Sequence, residues 1–210
     1  MRPVRPIRDP SRRTILSLGL GVPLLSLAGC SGSDPAYYTV TPWPGPVLAG
    51  GPLTVELRTP SVAAYLDRDN IVRNDKDYRL KIASDAAWAT NLPDMIGRTL
   101  ALDLGQRLPD SNVYTQSGAI STEALALVEL DVSRFLQDEQ GRAEIEAMLS
   151  VYRPNSGPTG SRHLKFTRMP ADGSIRALVA ALSQLLGQVA DAAAEALHAL
   201  PPSADGAKTG

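Results

Sequence analysis

Few side chains in this chain of 210 residues are equipped for chemistry: one cysteine, Cys30, and two histidines, His163 and His198. A single cysteine excludes an intramolecular disulfide framework and any multi-cysteine zinc site. The commonest serine-type nucleophilic catalysis uses a histidine base, and no motif places His163 or His198 beside a serine. There is no Gly-x-Ser-x-Gly elbow, no His-Glu-x-x-His pair and no phosphate-cradling glycine loop. Both histidines read as surface residues, His198 favourably close to a helix C-terminus. Asp67-Arg68-Asp69-Asn70 has the carboxylates of a calcium loop, but Ile71 stands where an oxygen ligand belongs. The required glycine is also missing, and Tyr78 takes the place of the bidentate glutamate, so a solvated turn fits better. No other carboxylates stand at a catalytic spacing. The expectation is a protein that is not an enzyme and carries no metal and no cofactor.

The chemistry of Cys30 lies in its setting. Arg2, Arg5, Arg8, Arg12 and Arg13, interrupted by Pro3, Pro6 and Pro10, precede a weakly apolar run from Ile15 to Ala28. A spanning helix needs roughly 20 apolar residues, so this run is too short, and too rich in Gly and Pro, to cross a bilayer stably. It has the character of a signal-peptide h-region. It ends in Leu27-Ala28-Gly29-Cys30, which matches the bacterial lipobox at all four positions. In such signals the thiol is diacylated, the chain is cut after Gly29, and the new amino terminus is acylated. A thiolate can accept the diacylglycerol, and small residues before it fit the peptidase. The alternative, a buried cysteine after an apolar helix, leaves the basic flank and the Ser/Gly-rich tether unexplained.

Two refinements follow. Ser11-Arg12-Arg13-Thr14-Ile15-Leu16 fits a twin-arginine export signal and equally an ordinary Sec signal with adjacent arginines. Ser31 stands where an aspartate would signal inner-membrane retention, which favours sorting to the periplasmic face of the outer membrane. Each buried methylene of an acyl chain contributes about 0.8 kcal/mol, so more than one chain on Cys30 anchors the domain stably.

Removing residues 1–29 takes away five arginines and Asp9, leaving 16 basic against 21 acidic side chains, a net charge of −5 on 181 residues. That length suits one domain. Its mildly acidic balance gives no reason to expect nucleic acid as a partner. Aromatic content of 5% argues against a stacking platform.

Four segments are expected: the cleaved signal 1–29, an acylated tether 30–36, a folded domain 37–200, and a disordered tail 201–210. Within the domain, Tyr37 to Val40, Leu53 to Leu57, Val62 to Leu66, Asn70 to Val72 and Tyr78 to Ile82 read as short strands. The prolines and glycines of Thr41 to Pro52 mark a loop. Asn91 caps a helix that carries Pro93 in its first turn and Ile96, Leu100, Leu104 and Leu108 on one face. Asn112 to Thr115, Ala124 to Phe135, Arg142 to Arg153 and Leu164 to Thr167 read as further strands, with a hairpin connection at Gln137 to Gly141. Asp172 or Ser174 caps a final helix with a long 3.6-residue apolar period, stopped by Pro201-Pro202. The class expected is α+β: a mainly antiparallel sheet with two amphipathic helices on one face.

Tyr65-Leu66-Asp67-Arg68 followed by Asn70-Ile71-Val72 resembles a stretch of the PqiC (YmbA-like) ABC-type transport auxiliary lipoproteins. Those proteins carry a Tyr-Leu-Asp-Arg-Pro-Gln-Ile-Val-like sequence after the second strand, and here Asp69 and Asn70 replace the Pro and Gln. Tyr37-Tyr38-Thr39-Val40, Trp88 before a spaced-leucine helix, Val132-Ser133-Arg134-Phe135 and the terminal Ala/Leu helix match in the same order. The resemblance implies a non-enzymatic outer-membrane lipoprotein that works with an MCE-domain protein and inner-membrane components, moving lipids or other hydrophobic molecules between membranes. It further implies a homo-oligomeric ring that docks the end of the MCE channel. On this reading Tyr65, Asp67 and Arg68 form a loop at a subunit or partner contact; the competing reading packs that loop on its own sheet. Trp88 is open in the same way, with the core as the alternative to an interface. Two other function classes compete: a structural or assembly lipoprotein of the envelope, and a lipid-anchored hydrolase, which the lack of a nucleophile–base pair disfavours.

Overall fold

A computed structural model describes residues 34–74, 79–116, 122–157 and 160–201. Cys30, the lipobox residues Leu27, Ala28 and Gly29, the pair Arg12 and Arg13, and the tail beyond Pro201 lie outside them. The elements run in the order β1 (Ala36–Tyr38), β2 (Thr54–Leu57), β3 (Ser61–Val62), β4 (Asn70–Asn74), β5 (Leu80–Trp88), α1 (Leu92–Arg107), β6 (Asn112–Thr115), β7 (Ala126–Gln137), β8 (Ala143–Tyr152), β9 (Arg162–Arg168) and α2 (Ile175–His198).

Strand β7 organises the sheet. One of its edges carries β8 in a long antiparallel ladder, and β8 carries β9. Its other edge is shared along its length by three parallel strands: β2 opposite Ala126 to Val128, β3 opposite Asp131 and Val132, and β4 at Gln137. Strand β6 extends β2 in parallel. Strand β5 pairs antiparallel with β4 and carries β1 in parallel. The α+β class holds, while the sheet is mixed rather than mainly antiparallel. A parallel partner needs a crossover, and the chain between β2 and β7, which includes α1, supplies one.

The alternation of β7 places Ala126, Val128, Leu130 and Val132 in the core. Beyond Val132 it would turn Arg134 inward. A register shift between Val132 and Arg134 inserts one residue, and the bulge returns Phe135 to the core opposite Ile145.

Helix α1 starts where Asn91 accepts the Asp94 N–H, and Ser174 caps α2 by accepting from Ala177. Asp172 also takes part, accepting from the Ser174 N–H. The helices pack on each other and on the sheet, and their leucines form one core with its inner face. Helix α2 is long and apolar enough to cross a membrane, but most of that apolar length is buried within this domain.

The loop between β1 and β2 becomes a strap along the helix pair. Thr41 N–H donates to Ser183 Oγ, Trp43 N–H to Asp103, Leu48 N–H to the Arg107 carbonyl, and Gly50 N–H to Asp110. Along α1 its partners advance from Asp103 to Arg107, and along α2 Thr41, Trp43 and Gly45 meet Ser183, Gly187 and Asp191 in turn, so the two helices run parallel beneath it.

Candidate functional site

The Tyr65–Arg68 segment is a turn hung from β7. Ala63 N–H donates to the Val132 carbonyl, and Leu66 N–H closes back on Ala63 at 2.8 Å. Leu66, 1% exposed, anchors the turn in the core. Tyr65 lies half-buried against its own sheet and its hydroxyl donates to the Ser133 carbonyl, at the β7 bulge, at 2.7 Å. Burial raises the Tyr65 phenol above its ordinary range; Arg134 opposes that shift, and Glu144 and Glu146 add to it. Asp67 and Arg68 are exposed, and neither forms a side-chain hydrogen bond or ion pair among the described residues. Adjacent residues therefore face opposite ways: Tyr65 inward onto the sheet, Asp67 and Arg68 to solvent. Asp69 accepts Trp88 N–H through its carbonyl, and the Asn70 side chain donates to the Ala83 carbonyl. Trp88 itself is a core residue, with its ring 6.0 Å from that of Phe135.

Beside this turn, on the sheet face away from the helices, runs a ladder of alternating charge. Arg134 pairs with Glu144 at 2.9 Å; Lys165 bridges Glu144 at 2.8 Å and Glu146 at 3.3 Å; His163 Nε2 lies 3.0 Å from Glu146. The His163 hydrogen bond is the main cause holding the Glu146 carboxyl below its usual range, against desolvation and with help from Lys165. Glu144, then Glu146, holds the Lys165 ammonium above its usual value. His163 is thus hydrogen-bonded to a glutamate at the end of this ladder. Glu144 and Glu146 each meet two partners, which makes this a polar face.

Two adjoining cavities of about 230 and 320 Å3 share Arg58, Thr59 and Gln116. Their linings are mostly polar, and neither offers the apolar walls that an acyl chain requires.

A third cluster lies outside every motif read from the sequence. Arg107 is fully buried and makes four hydrogen bonds: Nε to Asp191 at 2.6 Å, Nη1 to the carbonyls of Trp43 and Asp103 at 3.0 Å each, and Nη2 to the Gly187 carbonyl at 2.9 Å. Asp103, also fully buried, lies 3.6 Å from Nη1 and accepts the Trp43 N–H at 2.7 Å through Oδ1. Its Oδ2 has no hydrogen-bond partner among the described residues. Burial raises the Asp103 carboxyl to about 6, against the opposing effects of the Trp43 N–H and Arg107, with Asp191 adding to the rise. The cluster locks the strap onto both helices. Asp103 and Arg107 stand four apart on α1, and reading that helix for its leucines alone passes over them. The usable signal was a charge pair on the apolar side of the helix.

A model of the ABC-type transport auxiliary lipoprotein component family matches residues 38–194. No curated protein gives a significant match. Among solved structures, an uncharacterised protein aligns over 78% of this chain and 98% of its own, with 17% identity and a TM-score of 0.64. Protein XCC0632 from Xanthomonas campestris aligns over 78% and 93%, with 21% identity and a TM-score of 0.63. At those identities the structural likeness speaks for the fold alone. The family match carries more, because it runs from the first strand into the last turns of α2 and takes in the Tyr65 turn, the bulge and the Arg107 cluster; the chain belongs to the family of ABC-type transport auxiliary lipoprotein components.

Proposed function

We propose that this protein is the outer-membrane lipoprotein of an ABC-type transport system built on an MCE-domain protein, serving as its non-catalytic docking subunit. The observation that carries the reading is the family match across the folded domain, with a four-position lipobox just upstream of it. Acyl chains on Cys30 fix the domain to the periplasmic face of the outer membrane, and the sheet supplies the docking surface for the MCE channel. The cargo is a lipid or another hydrophobic molecule, and it passes through the partner: the two mostly polar cavities beside Arg58 favour docking over carrying. Asp67 and Arg68, exposed beside the Tyr65 anchor, are the contact residues of this reading. A homo-oligomeric ring is part of it, and the outer edge of β9, which pairs with no described strand, gives neighbouring copies unpaired backbone groups to meet.

The test is affinity capture of a tagged chain from native membranes. Recovery of an MCE-domain protein with its permease and ATPase supports the proposal, and repeated capture without one sinks it. Labelled palmitate tests the anchor separately: it should enter the wild type and be absent from Cys30→Ala.

A further inference from the structure

We infer that the strap is a membrane-contact surface, with Trp43 and Val47 seated in the headgroup region of the bilayer that holds the acylated Cys30. The inference rests on the anchoring proposed above.

The strap fixes its backbone and exposes its side chains. Its N–H groups at 41, 43 and 48 are spent on the helix pair, and that at 50 on Asp110 just beyond α1. Trp43 stays 43% exposed and Val47 65% exposed, and Tyr37, just upstream on β1, is 67% exposed. Pro42, Pro44 and Pro46 fix φ at alternate positions, so the segment is stiff and presents these groups at little entropic cost. Gly45 and Gly187 leave the space that lets it lie close to Arg107 and α2.

The strap itself is uncharged, and the two acids against it, Asp110 and Asp191, are bonded to the Gly50 N–H and to Arg107. No side chain from Pro35 through Val55 carries a charge. On α1, next to the residue that holds the Trp43 N–H, Leu102 is 58% exposed, and Gly105 and Gln106 are exposed and uncharged. The sheet face opposite the helices carries the ion-pair ladder instead.

Reach decides for a lipid surface over a protein partner. Six residues lie between Cys30 and Tyr37, and the seven steps span at most about 24 Å when fully extended. A domain of this size is about 40 Å across. The bilayer therefore lies nearer the side where the chain enters than the far side. An indole with an apolar body and a polar N–H suits the headgroup level, where tryptophan and tyrosine are enriched.

The chain has two tryptophans, which makes the test direct. Trp88, 4% exposed beside Phe135, is the internal reference. Acylated full-length protein is reconstituted into phosphatidylethanolamine–phosphatidylglycerol vesicles, with and without chain-brominated lipid, and flotation is scored alongside fluorescence. Brominated lipid should quench the wild type by at least a third. The quenching should vanish in Trp43→Phe and fall by at least half in Val47→Glu, which replaces an exposed side chain and leaves the fold intact. Protein that floats with the vesicles but shows no quenching overturns this inference and leaves the anchor standing. Protein that does not float overturns both. Trp43 shielded from aqueous acrylamide yet untouched by brominated lipid means that a protein covers the strap, and that also overturns the inference.

Discussion

Arg107 Nε donates to Asp191 at 2.6 Å across 84 positions of sequence, and this bond joins α1 to α2 where the strap crosses them. Substituting Arg107 with Leu leaves the buried Asp103 carboxylate without its cation and three carbonyls without their donor. Removing one partner of a buried pair costs about 3–5 kcal/mol. For a domain of this length that amounts to roughly 6–20 °C in melting temperature. Arg107→Lys should recover only part of it, since an ammonium cannot make the forked contacts. A Leu variant that melts with the wild type would show that the cluster carries no stability.

The two glycines against the cluster should behave unlike a third. A Cβ on Gly45 would overlap the Arg107 guanidinium and fall 2.5 Å from Asp191 Oδ1, and one on Gly187 would lie 2.9 Å from Trp43 Cβ. Gly45→Ala and Gly187→Ala should each lose about 1–3 kcal/mol by overpacking. Gly105, exposed on α1 with nothing within 4 Å of an added Cβ, should gain about 0.4–1 kcal/mol as Ala. Urea unfolding of the three variants checks the contrast, and equal effects would contradict the packing described here.

The Asp103 carboxyl titrates at about 6 in the fold, well above its unfolded value of about 3.9. Between those values the folded protein keeps a proton that the unfolded chain has lost, so this group favours folding on the acid side. Its contribution is lost as pH rises through 6. Glu146, whose carboxyl is lowered, works in the opposite sense: its contribution is present above its unfolded value and lost as pH falls. Comparison with Asp103→Asn separates the two. The stability of the Asn variant relative to wild type should climb from pH 4 to pH 7 and level off above that. A difference that stays flat, or declines, would show that Asp103 does not titrate in this range.

Within the Tyr65 turn, stability and partner contact should separate by residue. Tyr65→Phe loses the hydroxyl bond to the bulge carbonyl and should cost about 0.5–1.5 kcal/mol. Asp67→Ala and Arg68→Ala, exposed and without side-chain partners, should stay within about 0.5 kcal/mol of wild type. On the proposed docking role, the Asp67 and Arg68 variants weaken capture of the MCE-domain partner while melting normally. Normal capture by both would remove these residues from the contact.

What the sequence made legible followed from periodicity and capping. Asn91, Pro93, Ser174 and the spaced leucines locate both helices, and the alternation of β7 and β8 locates the central hairpin. Strand partners were not legible: β2 and β3 have four and two residues, too short to declare which neighbour they take or in what direction. The extra residue at the bulge was hidden because the run from Ala124 to Phe135 reads as one continuous strand, and nothing in it marks Ser133 as the inserted residue. Thr41 to Pro52 was rightly read as a loop, but its role depends on Asp103 and Arg107, which meet it only in the folded chain. For the turn, the resemblance singled out Tyr65, Asp67 and Arg68, and only coordinates divide them into an anchor and two exposed groups.

The shared edge of β7 also sets an order of events in folding. Val55 meets Ala126, Ser61 meets Asp131 and Arg73 meets Gln137, so three strands made early in synthesis wait for one made late. Until β7 emerges they carry unpaired backbone groups and apolar side chains in an open chain. Contacts so distant in sequence slow folding, and an intermediate that exposes strand edges is prone to aggregate. The central sheet therefore cannot join these three strands before Ala126 to Gln137 is available to all of them.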